Sequence, residues 1–238
     1  MVINDLPMAD RNGLIRALPK SLSEVNARRI KQFGSFMFMY DFIQEHWVRS
    51  RIHKASPAKH WQIMHDLITP VKNATVLDIA CGTGSAILHL DNSNDYTGLD
   101  ISYNMLRRAV KKAKNKGFRN FRLVEGNAEE LLFEDKSFDF VLIDTALHMI
   151  LNYQKCIENV SQVLKKDGIL LVSCPTFGIN KKFDALWKKI APKRKLNILT
   201  ESDYKSVCSN SELKYQRIQT NGSIVYFQGS RIMAPQVS

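Results

Sequence analysis

An α/β fold built on an open, mostly parallel sheet is predicted for this chain, on three observations. Val76-Leu77-Asp78-Ile79 reads as a strand covered on both faces, and it runs into the glycine turn Cys81-Gly82-Thr83-Gly84. Further short apolar runs at 96–100, 121–124, 137–144 and 169–174 alternate with helical or polar stretches. The chain has 238 residues, 45% of them hydrophobic, enough for one sizeable core.

The glycine turn raises the question of a ligand. Open α/β sheets bind ligands at the carboxyl ends of their strands, where this turn falls. Glycines let the backbone turn tightly and approach a ligand closely. A dinucleotide fingerprint G-x-G-x-x-G would need a third glycine at position 87, which is Ile87. Asp78 stands four residues before the first glycine. A carboxylate there repels phosphates and attracts a cation or an amine. Asp100 ends the second strand, where an acid can accept hydrogen bonds from both hydroxyls of a ribose.

The remaining elements follow in order. Pro7, Gly13 and Pro19 mark residues 1–20 as an irregular arm. Ile30, Phe33, Met37 and Tyr40 recur at helical spacing. Ser56-Pro57 starts a helix whose stripe is Trp61, Met64, Leu67 and Ile68. His46, His53, His60 and His65 lack metal-site spacing and read as surface or packing residues. A short helix is expected over 85–90. Ser102 caps a basic helix that Gly117 ends. A helix over 152–164 leads through the turn Lys166-Asp167-Gly168 into the fifth strand. Phe183, Leu186, Trp187 and Ile190 then form an apolar stripe among Lys181, Lys182, Lys188 and Lys189, followed by Lys193-Arg194-Lys195. Thr200 caps the last helix, and a hairpin about Asn221-Gly222 completes seven strands.

Val76-Leu77-Asp78-Ile79-Ala80-Cys81-Gly82-Thr83-Gly84 closely resembles the S-adenosylmethionine (SAM) motif of class I methyltransferases. Asp100-Ile101-Ser102 with Met105-Leu106 resembles that family's D-x-S-x-x-M-L. Gly126-Asn127-Ala128 resembles the G-D-A of the ubiquinone/menaquinone-biosynthesis type, with asparagine in place of the acid. Leu147-His148 and Val163-Leu164-Lys165 continue the match. The resemblance covers roughly the central hundred residues.

It implies a Rossmann-like seven-stranded sheet with helices on both faces, an N-terminal helical cap over 1–55, a methyltransferase domain over 56–230 with a basic lid insert over 176–199, and a tail over 231–238. It implies SAM as cofactor and S-adenosylhomocysteine (SAH) as product. The cofactor residues would be Asp78, Ala80, Cys81, Gly82, Gly84, Asp100, Ile101, Met105, Asn127, Ala128, Asp144 and Thr145. Asn127 keeps a carbonyl acceptor for the adenine amino group. Tyr40 and His148 would line the substrate mouth, with His148 the candidate general base.

Charge is uneven. Ten basic residues face six acidic ones before position 71, thirteen face thirteen over 71–175, and eleven face four beyond. Basic flanks suit an anionic or lipid-like small molecule, a membrane surface or nucleic acid. Without an Asn-Pro-Pro-Tyr-like strand end or paired catalytic cysteines, a small-molecule acceptor is favoured. An RNA methyltransferase and a non-catalytic SAM-binding module are the alternatives. The four cysteines show no metal spacing, and no signal-peptide pattern opens the chain, so a cytoplasmic enzyme with no metal is expected.

Overall fold

The computed structural model describes residues 9, 13–18, 22–35, 44–130 and 132–232, with 31–35 and 44–46 described by backbone alone. Its strands are β1 (Leu14–Arg16), β2 (Thr75–Ile79), β3 (Asp95–Asp100), β4 (Phe121–Glu125), β5 (Phe138–Asp144), β6 (Leu164–Phe177), β7 (Leu199–Thr200), β8 (Leu213–Asn221) and β9 (Ile224–Arg231). They lie in the order β1-β4-β3-β2-β5-β6-β9-β8, with β7 beside β6. Pairing is parallel from β1 to β6 and antiparallel for β6–β9 and β8–β9. The helices are α1 (Glu24–Ser35), α2 (Pro57–Ile68), α3 (Tyr103–Lys116), α4 (Tyr153–Val163), α5 (Lys181–Ile190) and α6 (Glu201–Asn210), with a π-helical segment at Gln44–Ile52.

Strand side chains alternate between the faces, which sorts the core into two layers. Leu77, Ile79, Val141, Ile143 and Val172 pack with Ile157 and Val160 of α4 and Tyr204 of α6. Val76, Phe140, Leu142 and Tyr226 pack with Met64 and Ile68 of α2 and Leu106 and Ala109 of α3. The predicted sheet with helices on both faces is present, with two strands beyond the seven predicted, β1 at one edge and β7 beside β6.

Three local expectations are corrected. The arm is not wholly irregular: Leu14–Arg16 pairs in parallel with β4, and Leu14 is fully buried. The helix expected at 85–90 shrinks to a 3-10 turn, Ala86–Leu88. Residues 166–168 do not turn out of the sheet but run within β6, whose register with β5 shifts between Phe138 and Phe140. A bulge absorbs these extra residues without breaking the strand.

Two of the three expected caps form through their side chains, while Ser102 stands at the N-cap of α3 without a side-chain cap hydrogen bond. Ser56 Oγ accepts from Lys59 N at 3.2 Å, and Thr200 and Asp203 form a reciprocal capping box. The insert forms α5, which buries Phe183 and Trp187 in a small separate cluster with Ala191 and Ile198 and leaves its four lysines exposed. Among the described residues no helix is long and apolar enough to cross a membrane.

Candidate active site

A cleft of about 820 Å³, part of it open to solvent, lies at the carboxyl ends of β2, β3, β4 and β5. Ala80 and Gly82 line it from the glycine turn, and Asp100, Ile101 and Met105 from the end of β3 and the start of α3. Asn127 and Ala128 follow β4, and Asp144 and Thr145 follow β5. Ala80 and Thr145 hold φ of +55° and +52°. For a β-branched residue this is a strained conformation, here at the edge of the cleft.

Three of the sequence-implied cofactor residues do not line the cleft. Gly84 (φ +75°) serves helix packing instead: a Cβ there would stand 3.0 Å from Ala109 Cβ and 2.6 Å from Ile87 Cδ1. Asp78 is buried, and the half-buried Cys81 packs against the α2–α3 layer. Period two turns Asp78 toward the α2–α3 layer, where its Oδ2 accepts from the Tyr96 hydroxyl at 2.9 Å. Tyr40 lies outside the described residues.

Burial pushes the Asp78 carboxyl up to about 8, against the Tyr96 hydrogen bond, and the nearby Asp144 and Asp100 add to the rise. An acid with a raised folded pKa binds its proton more tightly folded than unfolded. Stability is therefore unaffected below the unfolded pKa and falls as pH rises from about 4 to 8. Asp78→Asn is expected to stabilise the ligand-free protein by a few kcal/mol at pH 8 and hardly at all at pH 4. Urea titrations at both pH values test this; equal effects at the two would show that Asp78 is charged in the fold.

Asp100 is held by the backbone: Oδ2 accepts from Gly82 N and Oδ1 from Ser102 N, both at 2.8 Å. Burial raises its pKa to about 6, and these amides and that of Ile101 limit the rise. Asn127 Oδ1 accepts from Glu129 N at 3.1 Å, which fixes the amide at the cleft wall.

Asp144 is the centre of a network that sequence reasoning missed. Its Oδ1 accepts from Ser173 Oγ at 2.5 Å and Thr145 Oγ1 at 2.9 Å. Its Oδ2 lies 3.4 Å from His60 Nε2 and 3.5 Å from an Arg49 guanidinium nitrogen. His60 Nδ1 in turn meets the Tyr226 hydroxyl at 2.7 Å. Burial alone would raise the Asp144 pKa, but His60, Arg49 and Ser173 outweigh it and hold the carboxyl well below its usual range. His60, read as surface or packing, is buried and also a partner of Asp144. The available signal was periodic: Asp144 shares a strand face with Phe140 and Leu142, and His60 shares a helix face with Met64.

A second cavity of about 1270 Å³, also partly open, adjoins the first, and Arg29, Thr145 and Met149 line both. His148, 7% exposed, lines only the second. Burial first, then His53 and Arg29, lowers its pKa to about 3, so its imidazole is neutral at ordinary pH. Arg29 on α1 donates to the carbonyls of Met149 and Lys195, the latter at 2.9 Å. Asn197 donates from its backbone to His148 O and from its side chain to Ile150 O and Leu151 O. The N-terminal helix and the basic loop are thereby tied to the His148 segment. Arg29 and Asn26, both lining the first cleft, were also missed.

The sheet order, with a cleft lined by acids at the strand ends, defines an open α/β fold whose ligand site lies at the carboxyl edge of its sheet. Residues 70–223 match the methyltransferase-domain family, and the chain belongs to it. The chain is 37% identical over 125 residues to demethylmenaquinone methyltransferase of Staphylococcus aureus, which covers 50% of this chain and 51% of that protein. The chain thus matches about half the length of these curated relatives. Its fold is similar to that of YcgJ from Bacillus subtilis (TM-score 0.64, 21% identity, 74% of this chain, 100% of that one). It also resembles a Haemonchus contortus phosphoethanolamine N-methyltransferase solved with phosphomonomethylethanolamine and SAH (TM-score 0.68, 15% identity, 91% of this chain, 62% of that one).

Proposed function

We propose that this enzyme transfers a methyl group from SAM to a small-molecule acceptor, the first cleft holding the cofactor and the second the acceptor. The observation that carries this reading is the junction of the two cavities at Arg29, Thr145 and Met149. The residues suit SAM, which carries cationic groups, a ribose diol and no phosphate. Each Asp100 oxygen accepts one backbone amide and keeps lone-pair capacity for the diol. Asp144, kept ionised, suits the ammonium and sulfonium. Asn127 and Ala128 are the candidates for the adenine edge. The quinone-methylating relative favours a quinone, lipid or related natural product as acceptor.

Bound SAM supplies an activated methyl group on a good leaving group. The protein's own tasks are alignment and exclusion of water. Arg29 performs part of both by clipping α1 across Met149 and Lys195. α1 with the Gln44–Ile52 segment serves as cap, and 176–199 as lid. His148, which lines the second cavity, is the candidate to take a proton from an acceptor hydroxyl, a weak base because burial holds its pKa low.

The test is methyl transfer from labelled SAM to a panel of phenols, quinols and acidic lipids. His148→Ala is expected to reduce turnover about tenfold or more while SAH affinity stays within twofold. Unchanged turnover removes the base role. Absence of transfer to every small molecule, together with steeply salt-dependent transfer to RNA, replaces the acceptor reading.

A further inference from the structure

The second cavity carries two features that methyl transfer itself does not demand. Trp187 and His53, 6% and 3% exposed, stand on its wall. Trp187 Nε1 and His53 Nδ1 are both buried with no hydrogen-bond partner. An indole N–H can only donate, and a buried donor left unmet costs free energy that a ligand oxygen would restore. The second feature lies at the rim. Lys193, Arg194 and Lys195 follow α5 on one turn, all exposed and all lining the cavity. Arg29 holds the Lys195 carbonyl and so fixes this turn against α1.

Ile52 and Leu196, both apolar, also line the cavity. Burial first, with Arg49 and His60 adding to it, lowers the His53 pKa to about 3, and His148 is lowered similarly. The wall formed by His53 and His148 is therefore uncharged at neutral pH, the Arg29 guanidinium at the junction is engaged by the Met149 and Lys195 carbonyls, and the rim is strongly cationic. A ligand carrying negative charge gains nothing by burying it among neutral imidazoles and gains by leaving it at the rim.

Resting on the reading that this cavity takes the acceptor, we propose that it selects an anionic amphiphile. The apolar or flat body lies against Ile52, Leu196 and Trp187, and an oxygen of the ligand accepts from the Trp187 indole N–H. The negative group sits at Lys193, Arg194 and Lys195. The opposite end then faces Thr145 and Met149, where the two cavities meet. A neutral quinol would leave the cationic rim unused.

The experiment is calorimetric titration of the full chain saturated with SAH, using 2-naphthoate and its neutral isostere 2-naphthamide as probes. Naphthoate is expected to bind at least tenfold more tightly at low salt, with the preference shrinking as salt rises because the rim is solvent-exposed. The triple variant Lys193→Gln, Arg194→Gln, Lys195→Gln is expected to abolish the preference while binding SAH normally. Trp187→Phe is expected to weaken both probes. Equal affinities, binding of neither probe, or a preference that survives the triple variant overturns the proposal. SAH binding, measured first in the same cell, separates the two layers. SAH bound without an anion preference removes this selectivity alone; no SAH binding removes the cofactor assignment and this inference with it.

Discussion

Replacing Asp100 with alanine is expected to weaken SAH binding by about a hundredfold or more, read by calorimetry. Two hydrogen bonds to a charged carboxylate contribute about 1.5–3 kcal/mol each, and both vanish. The carboxylate is pre-oriented, since Gly82 N and Ser102 N each hold one of its oxygens at 2.8 Å. A ligand therefore meets acceptors whose ordering has already occurred on folding. The raised pKa of about 6 adds a pH signature. Affinity should be full at pH 8 and decline as pH falls through about 6, because the protonated acid loses acceptor strength. A decline at the same pH in Asp100→Asn would assign the titration to another group. Retention of SAH affinity in Asp100→Ala would displace the cofactor from this cleft altogether. The melting temperature of the variant must be followed, because Gly82 N and Ser102 N lose their acceptor too.

Gly222→Ala is expected to destabilise the protein by about 3 kcal/mol or more, lowering Tm by about 6–12 °C for a chain of this size. Gly222 holds φ of +62°, and a Cβ would stand 2.1 Å from Lys54 O and 2.6 Å from Ala55 N. Those are backbone atoms, and they cannot retreat cheaply. Ser223 N and Oγ both donate to His53 O at 2.9 Å. Asn221 exchanges two bonds with the backbone of Ser56, at 3.0 and 2.8 Å. The hairpin tip thus clamps residues 53–56, which lead from the π-helical segment into α2. Ser223→Ala removes one hydroxyl bond and is expected to cost about 1 kcal/mol. A Gly222→Ala variant within 1 kcal/mol of the parent would show that the tip and the 53–56 segment move apart freely.

Much of the architecture was legible because its signals are local. Apolar runs ending at Asp78, Asp100 and Asp144, separated by helix caps at Ser56, Ser102 and Thr200, report strands and helices through side-chain period and backbone preference. The motif residues Gly82, Asp100, Asn127 and Thr145 were legible as a group because each ends or follows a parallel strand. Parallel strands bring their carboxyl ends to one edge. The asparagine at 127 was read through the family resemblance, and the glycine at 222 from turn chemistry.

Other features were illegible because they depend on contacts across long sequence separations. Leu14–Arg16 is too short to announce itself as a strand; it forms one because β4 offers an unpaired edge. Asp78 looked like a ligand group and is instead buried, since β3 lies alongside and supplies the Tyr96 hydroxyl. His60 and Tyr226 lie 166 positions apart, yet meet because α2 and β9 cover the same face of the sheet.

The sequence by itself determined the class of this protein: a doubly wound sheet, a glycine turn with acids at the strand ends, and a methyltransferase motif order. Secondary structure and a strand-end site follow from neighbouring residues, so a linear reading reaches them. The tertiary structure alone decided which acids face the cleft and that Arg49 and His60 keep Asp144 ionised. It also decided that α1 and the 193–195 turn close a second cavity around Trp187 and His53. These are matters of charge and hydrogen bonding in space, whose energies depend on distance and burial and not on separation along the chain.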